Sequence, residues 1–555
     1  MTLSVPVPGT VQLVDTKGTL NVKHGKDHHD IVLVPQPSDH PDDPLRWTQP
    51  RKAQNVACAM AWCFFAAAMI SGLSPAYVLM EADTGISVAD LSTGNGLMYL
   101  FLGFGTLVTQ CAALNYGRRP TLVASIILTT FVSLWAAYVK TKGEFYANRI
   151  LLGVVSSPME TLIEVIIGDV FFTHDRGFYM GLYSWTLWGA AFLAPVASGF
   201  VAQDLGWRWI QYIMAIIGAG TAVMTFFFFE ETMYYRPARQ PEIMGIQEST
   251  AAADDLGAIE KKIQMESNPD DTKYSSSSPD QASVARSIDN NTAETPLEST
   301  KTRVDKMKLW GHRDPRQPNP FKLFFLPIQL YRYPGMIFSG ILVGGILSWY
   351  NVVGGSLALI LSNAPYNFTA NTIGLTYLAC FVGVSIGCFI SGWLSDIIAI
   401  KLARRNGGVM EPEQRLWLCL VAIVAHPAGC LLYGVGASYS IHWVGIIFGL
   451  GLISVTLPIG TSLAFTYILD SYKEVAGEGM VSVILIRNLM GFAFSYAVVP
   501  IINNLGLRNA FILVAILGLA FWSFCIFMIM FGKSLRRSSA ASYWRLVEKY
   551  GAAAH

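Results

Sequence analysis

Residues 147–169 read ANRILLGVVSSPMETLIEVIIGD, a run dominated by apolar side chains. A helix needs about 20 such residues to cross the hydrocarbon core of a bilayer, so this run is long enough. It nevertheless contains Arg149, Glu160 and Glu164. A charged residue facing lipid at the bilayer centre costs about 2.5–3.5 kcal/mol. We therefore predict a membrane-spanning helix whose charged side chains face protein or a water-filled cavity.

The composition of the whole chain agrees with a membrane protein. Of the 555 residues, 52% are hydrophobic and only 14% are charged, whereas about 25% of the residues of soluble domains are charged. Twelve segments are long and apolar enough to span a membrane. They lie near residues 54–76, 93–114, 120–140, 147–169, 178–201, 209–229, 335–361, 372–395, 416–437, 440–467, 478–502 and 509–532. The predicted fold class is an all-α polytopic membrane protein with twelve transmembrane helices in two six-helix bundles.

A polar stretch separates segments six and seven. Residues 245–308 are rich in Ser, Asp, Lys and Pro and poor in aromatic residues, so they cannot bury enough apolar surface to fold by themselves. We predict a disordered cytoplasmic linker, either a simple tether or a regulatory segment phosphorylated at residues 275–278. The predicted boundaries are an N-terminal tail at 1–52, bundles at 53–232 and 334–533, a largely disordered linker at 233–333 and a C-terminal tail at 534–555.

Positive charge in the loops sets the predicted orientation. Lys and Arg concentrate in the cytoplasmic loops of membrane proteins. Placing the N-terminus inside puts Arg118, Arg119, Arg404 and Arg405 in inner loops. Both termini are then cytoplasmic, and Asn367, which begins the sequon at 367–369, lies outside as a predicted glycosylation site.

Two loops carry a recurrent charged pattern. The loop after segment two reads NYGRRPTL (115–122), and its equivalent in the second half reads SGWLSDIIAIKLARRNGG (391–408). They resemble the G-x-x-x-D-R-x-G-R-R motif of the major facilitator superfamily, although Leu114 and Asn115 replace its Asp and first Arg. The resemblance implies an inner-face gate; the alternative is ordinary positive charge on the inner side. The gate candidates are Gly117, Arg118, Arg119, Asp396, Arg404 and Arg405, with Asp169 at the inner end of segment four.

Shorter stretches narrow this resemblance. They are PSDHPDDPLRW (37–47), DVFFTHDRG (169–177), GWRW (206–209) and RRNGGVMEPEQRL (404–416). Together they resemble fungal twelve-helix drug:proton antiporters, and the acidic segment four resembles the low-selectivity cation and polyamine permeases of that group. The resemblance implies a monomeric, proton-coupled transporter of the plasma membrane. In segment five only Pro195 and Gly199 match the antiporter motif, so symport and antiport both stay open.

Helical geometry arranges the charges of segment four. At about 100° per residue, Arg149, Gly153, Glu160 and Glu164 form one polar stripe, and Asp169 lies on the opposite side. Arg149 is about 16 Å from Glu160 along the axis, too far to neutralise it within one helix. Two close carboxylates repel each other, so one of them is expected to hold a proton near neutral pH. An amine would favour the ionised form and displace that proton, which would couple the two fluxes.

Other helices supply candidates for the same site. Arg487 in segment eleven is the clearest buried cation, and we expect it to gate the path or to pair with Glu164. Aromatic rings would complete a cation site, because a cation–π contact contributes about 0.5–2 kcal/mol. The alternative is that these rings face lipid or the membrane interface. The candidates are Tyr183, Trp349 and Tyr350, with Asn351 beside them.

The sequence predicts no enzymatic activity, cofactor, metal site or nucleic-acid partner, because it contains no P-loop, nucleophile elbow, metal-ligand cluster or basic stripe. The leading hypothesis is a proton-coupled transporter of a small organic cation such as a polyamine, whose partners are substrate, protons and the lipid bilayer. One alternative is an efflux pump for a secondary metabolite or drug, in which the acids serve only protons. Another is a nutrient sensor that does not transport and signals through the linker.

Overall fold

The computed structural model describes residues 7–12, 38, 40, 42–234, 308 and 320–549. All of them belong to one structural unit. Most of the predicted linker, including residues 275–278, lies outside the described residues. Its predicted disorder and phosphorylation, and the domain boundaries that depend on it, therefore stay predictions.

Within the described residues, twelve helical segments are long and apolar enough to cross a membrane. This agrees with the number predicted from the apolar runs and confirms the all-α fold class. We number these segments as spans 1 to 12. Their bounds are Gln49–Ala76, Val88–Tyr116, Arg118–Ala136, Lys142–Val170, Arg176–Asp204, Trp207–Phe228, Pro334–Leu357, Asn371–Arg405, Pro412–Ser438, Trp443–Ser471, Lys473–Val498 and Pro500–Lys549.

Shorter elements extend or connect the spans. Two α-helices lie between them, at Tyr77–Thr84 and Pro320–Gln329. The second is apolar, PFKLFFLPIQ, which explains why it is helical although the sequence analysis assigned it to the linker. Short 3-10 helices occupy Pro44–Arg46, Ser74–Ala76, Leu330–Arg332, Pro412–Leu418 and Lys473–Val475. Strands Val11–Gln12 and Val409–Met410 pair antiparallel.

Several spans are irregular for identifiable reasons. Span 4 consists of two helices, Lys142–Ser156 and Pro158–Val170, because Pro158 lacks the N–H that would continue the ladder. Spans 8 and 9 contain π-helical turns at Ile390–Leu394 and Leu431–Val435. Spans 11 and 12 lie in the helical range Ala476–Lys549, which consists of two helices separated by a kink at Gly506, where φ is 74° and ψ is 159°. It continues past residue 532, where the sequence analysis ended segment twelve.

Spans 1–6 and spans 7–12 form two halves that meet along a central interface. Span 2 packs against span 11, and span 5 packs against spans 8 and 10. Glycines allow the closest approach: a Cβ on Gly181 of span 5 would lie 2.8 Å from the Cα of Gly392 on span 8. Small residues permit such backbone contact between membrane helices. The interface between the halves therefore holds the side chains that a solute crossing the protein would meet.

The N-terminal segment 7–12 packs on the second half at its predicted inner end. The Arg536 guanidinium donates a hydrogen bond to the carbonyl of Pro8. Gly9 has φ +81°, and a Cβ there would lie 2.6 Å from the Cα of Ser471. The segment thus covers the end of span 10, next to a group of ion pairs described below.

Candidate functional site

Glu160 is held across the interface between the two halves. It is 1% exposed. Its Oε1 accepts from Nη2 of Arg487 at 2.7 Å, and its Oε2 accepts from Nδ2 of Asn488 at 2.9 Å. The sequence analysis expected Arg487 to gate or to pair with Glu164. It bonds to Glu160 instead, because the packing of span 11 against the first half brings Arg487 and Asn488 to Glu160, with Asn488 close against Gly103 of span 2.

Glu164 lies one turn further along span 4 and is fully buried. Neither of its carboxylate oxygens accepts a hydrogen bond. The groups facing it are the Arg487 guanidinium, the Glu160 carboxylate, the Tyr183 hydroxyl and the Cys63 thiol. The Tyr183 hydroxyl lies beside it without a hydrogen bond of good geometry. Buried polar groups are normally hydrogen-bonded, so this carboxyl is poised to take a proton or a ligand.

Arg149 occupies a separate position on the predicted outer side of this pair. Its guanidinium lies 5.0 Å from the ring centroid of Phe145, and its Nε and Nη2 make no hydrogen bond. Tyr77 and Tyr99 are its other neighbours. Tyr99 also faces Glu160 and Arg487, so it lies between the two charged groups. The tyrosines therefore separate Arg149 from the glutamates.

The predicted polar stripe of span 4 is interrupted by a helix-packing contact. A Cβ on Gly153 would lie 2.4 Å from the carbonyl oxygen of Met98 on span 2. Gly153 is therefore a helix-packing contact, and the stripe is interrupted there. The periodicity argument also assumed one continuous helix, whereas Pro158 divides span 4.

Tyr350 lies at the interface, whereas its sequence neighbours do not. Its ring centroid is 5.4 Å from that of Trp188 and 5.6 Å from that of Phe192, both on span 5. The indole N–H of Trp188 donates to the hydroxyl of Thr461 on span 10 at 3.2 Å. Tyr77 is also within electrostatic reach of Tyr350. These rings from both halves form an aromatic cluster beside the acids.

Trp349 and Asn351 are directed into the second half. The Trp349 ring packs against His426 at 5.2 Å and against Phe494 and Phe521, both at 5.7 Å. The Asn351 amide donates to the carbonyl of Gly491 at 3.1 Å. Successive residues of a helix point about 100° apart, so residues 349 and 351 cannot share the direction of residue 350. The structure does not bring them to the acids.

A group of ion pairs at the predicted inner end of the second half also hydrogen-bonds to the first half. Asp396 pairs with Arg415 at 2.6 Å, and its other oxygen accepts from the backbone N–H of Phe178 at 2.9 Å. Arg415 also pairs with Asp470 at 3.2 Å and donates to the carbonyl of Thr173 at 3.2 Å. Thr173 and Phe178 belong to the first half, and the three charged residues belong to the second. We call Asp396, Arg415 and Asp470 the latch.

The sequence analysis identified only Asp396 of the latch. In the sequence, Arg415 is the last of the three arginines of RRNGGVMEPEQRL, and Asp470 is an acid at the end of a long apolar segment. Neither residue belongs to the G-x-x-x-D-R-x-G-R-R motif on which the predicted gate was based. Arg404 and Arg405 are exposed at the end of span 8, about two turns beyond Asp396. The structure does not bring them to the latch.

The backbone of the equivalent loop in the first half is bonded to a carboxylate of that half, and Arg118 also faces Glu478 of span 11. The backbone N–H groups of Arg118 and Arg119 donate to the Glu231 carboxylate, each at 3.0 Å. Gly117 precedes them with φ +105°, and Arg118 lies 3.5 Å from Asp169. The four gate candidates of this half are thus close together, with Glu231 as a member that sequence comparison did not find.

Two further expectations concern sites outside the interface. Asn367 is exposed in the loop between spans 7 and 8, and its glycosylation stays a prediction. Among the described residues, no group of three or more His, Cys, Asp or Glu side chains could hold a metal ion.

Comparison with known proteins identifies the family. Residues 59–495 match the profile of the Major Facilitator Superfamily. An uncharacterized MFS-type transporter of Schizosaccharomyces pombe is 28% identical over 97% of this chain and 94% of its own length. Protein HOL1 of Saccharomyces cerevisiae is 25% identical over 96% and 95%.

A solved structure agrees with this family at the level of the fold. The proton:xylose symporter XylE superposes with a TM-score of 0.57 at 12% identity, covering 87% of this chain and 96% of its own. The profile covers most of the chain, and the expected resemblance is confirmed. The chain belongs to the Major Facilitator Superfamily, whose members are membrane transporters of small molecules and not enzymes.

Proposed function

We propose that this protein is a proton-coupled secondary transporter of a small organic cation such as a polyamine. It acts in the fungal plasma membrane as a monomer, with both termini cytoplasmic. The observation that carries the proposal is Glu164, a carboxyl buried between the two halves whose oxygens accept no hydrogen bond. An ionisable residue inside a membrane protein is a functional candidate because burying it without a role is costly.

Glu164 can hold either a proton or an ammonium group. Burial disfavours an isolated carboxylate, so an empty site favours the protonated acid. An approaching amine favours the ionised form and displaces the proton to whichever side is open. The exchange needs no chemical catalysis, since the two cations compete for one group.

The surroundings of Glu164 suit an organic cation. Tyr99, Tyr183, Trp188 and Tyr350 bring aromatic rings from both halves to the same region. Rings attract ammonium groups by about 0.5–2 kcal/mol per contact. A flexible amine can thus meet one carboxylate and several ring faces as it crosses the interface.

Alternating access requires that the latch open and close. In this structure Asp396 and Arg415 bind residues of the first half at the predicted inner end, which closes the path on that side. Rocking of one half against the other about a central site is the usual motion in transporters built from two repeats. The latch contacts would break in the inward-open state.

A second candidate function is export of a neutral metabolite or drug by proton antiport. It is favoured by the fact that Glu160 is already bonded to Arg487 and Asn488, which leaves a single free acid, sufficient for a proton alone. The aromatic cluster would accept an apolar ring as readily as an amine. A sensor that signals through the linker is a third hypothesis, and it depends on residues that lie outside the described part of the chain.

Flux of radiolabelled spermidine into proteoliposomes with an imposed pH gradient tests the proposal. We expect gradient-driven flux in the wild type and none in Glu164→Gln. Glu144→Gln is the matched control, because Glu144 is exposed and caps a helix, where Gln is also accepted. Spermidine flux that is the same in the wild type and Glu164→Gln would contradict the proposal. Proton-driven flux of a neutral compound without spermidine competition would favour the efflux alternative.

A further inference from the structure

The charged groups at the centre are unequal in their pairing. Arg487 and Asn488, both on span 11, together bond both oxygens of Glu160 on span 4. Glu164 on the same helix has no such bond. The same arginine faces Glu164 without bonding to it. Arg487 therefore forms a direct ion pair with Glu160 but interacts with Glu164 only at longer range.

We propose that Arg487 sets the number of cations exchanged by the central site at one. It keeps Glu160 ionised and neutralised throughout the cycle, which leaves Glu164 as the single acid that alternates between a proton and one ammonium group of the substrate. The ammonium part of this inference rests on the proposed function. The assignment of a single exchangeable proton to Glu164 does not.

Arg487 is suited to a permanent role. An arginine side chain stays protonated under all physiological conditions. It is 3% exposed, and its contact to Glu160 is a direct 2.7 Å charge-assisted bond. Asn488 adds a neutral donor to the same carboxylate, at 2.9 Å. These two bonds favour the ionised form of Glu160 and oppose the burial that disfavours it.

The other groups facing the acids carry no charge that would alter this balance. They are the Cys63 thiol from span 1, the Tyr99 hydroxyl from span 2 and the Tyr183 hydroxyl from span 5. Thiols and phenols are neutral at physiological pH. Arg149 is not among the groups that face Glu164.

Charge balance then fixes the exchange. With the Glu160–Arg487 pair neutral, a protonated Glu164 leaves the site neutral. An ionised Glu164 with one ammonium group also leaves it neutral. An empty ionised site has one net negative charge, and a protonated site with an ammonium has one net positive charge. Unpaired charge in the interior is strongly disfavoured, so one proton leaves for each ammonium that enters.

Infrared difference spectroscopy of the purified full-length protein tests the proton count without any substrate. Spectra at low and high pH report the C=O stretch of protonated carboxyls. Relative to Glu164→Gln, we expect the wild type to show one additional titrating carboxyl. Arg487→Gln should show roughly twice this signal, because Glu160 then also takes up a proton. The double variant Glu160→Gln/Arg487→Gln should return to the wild-type signal.

The double variant guards against misfolding of the single one, since it removes both charges of the pair together. An unchanged signal in Arg487→Gln would overturn the inference. The inference would also be overturned if adding Glu164→Gln to the double variant left the titrating carboxyl band unchanged. Arg487→Lys retains the cation and should keep the wild-type signal.

Transport in proteoliposomes gives the ratio of protons to spermidine from the pH gradient at which net flux stops. We expect one proton per spermidine amine bound at the site in the wild type and a higher ratio in Arg487→Gln. Absence of spermidine flux together with the expected infrared pattern would contradict the proposed function but support the single-acid assignment. Gradient-driven spermidine flux together with a different infrared pattern would support the proposed function but contradict the single-acid assignment.

Discussion

The central acids and the latch are both built from buried charges, yet they are bonded differently. In the latch, both oxygens of Asp396 are used, and Arg415 reaches Asp396, Asp470 and the carbonyl of Thr173. At the centre, neither oxygen of Glu164 accepts a hydrogen bond of good geometry. A well-bonded cluster stabilises one arrangement of the two halves. A carboxyl with few bonds can exchange one bound cation for another with little loss of protein contacts. The difference in bonding therefore distinguishes a cluster that stabilises a conformation from a site that exchanges cations.

Replacing Arg487 is expected to have the largest effect on stability. In Arg487→Leu, two buried carboxylates lose their shared cation, and breaking a buried pair in this way costs about 3–5 kcal/mol. The measurement is the free energy of unfolding in detergent micelles. Adding Glu160→Gln to the same protein should restore much of the loss. Equal stability of Arg487→Leu and the wild type would show that the centre does not depend on this pair.

Breaking the latch should change conformation more than it changes the central site. Arg415→Leu removes hydrogen bonds to charged groups worth about 1.5–3 kcal/mol each, so opening at the inner end should rise about tenfold or more. The native Cys388 reports this, because its carbonyl lies against Gly181 at the contact between spans 8 and 5. Maleimide labelling of Cys388 should increase, with Cys388→Ser as the control. Unchanged labelling would remove the latch from the gating mechanism.

The first half offers a matched test of the latch. Glu231 binds the backbone N–H groups of Arg118 and Arg119 within its own half. In Glu231→Gln one acceptor becomes a donor, so we expect a loss of about 1–3 kcal/mol in the free energy of unfolding. Labelling of Cys388 should stay at the wild-type level, because no contact between the halves is broken. Increased labelling would instead indicate that both loops act in gating.

The smallest effect is expected for the exposed ion pair at the predicted outer end. Asp83 accepts from the indole N–H of Trp207 at 3.0 Å and from Arg208 at 2.5 Å, and these bonds lower the pKa of its carboxyl. A lowered pKa in the folded state gives stability that is present above the unfolded-state pKa and is lost as pH falls through the folded-state pKa. Solvent screening keeps this contribution small. The acid side of a plot of melting temperature against pH should flatten slightly in Asp83→Asn.

Most of the fold was accessible from the sequence because the bilayer imposes strong rules. Apolar length alone located all twelve spans, since a helix must be long enough to cross the hydrocarbon. The cost of placing charge in a bilayer identified Glu160, Glu164 and Arg487 as candidate functional residues. The pairing was harder to predict. Arg487 was expected to gate the path or to pair with Glu164, and the packing of span 11 against the first half brings it to Glu160.

The missed residues share one property: they act through contacts between distant parts of the chain. Arg415 and Asp470 look like ordinary loop and helix-end charges in the sequence. Their role arises because the loop between spans 4 and 5 meets the start of span 9, which in turn meets the end of span 10. Trp349 and Tyr350 are adjacent in sequence and equally aromatic, yet only Tyr350 faces the other half.

The sequence by itself determined the class of protein, the number of spans and the presence of buried acids, because hydrophobic length and the cost of burying charge act locally along the chain. Only the tertiary structure decided which acid is neutralised and which is free. That choice depends on the register of span 11 against span 4, which is set by side-chain packing between two halves of the chain and has no local signature.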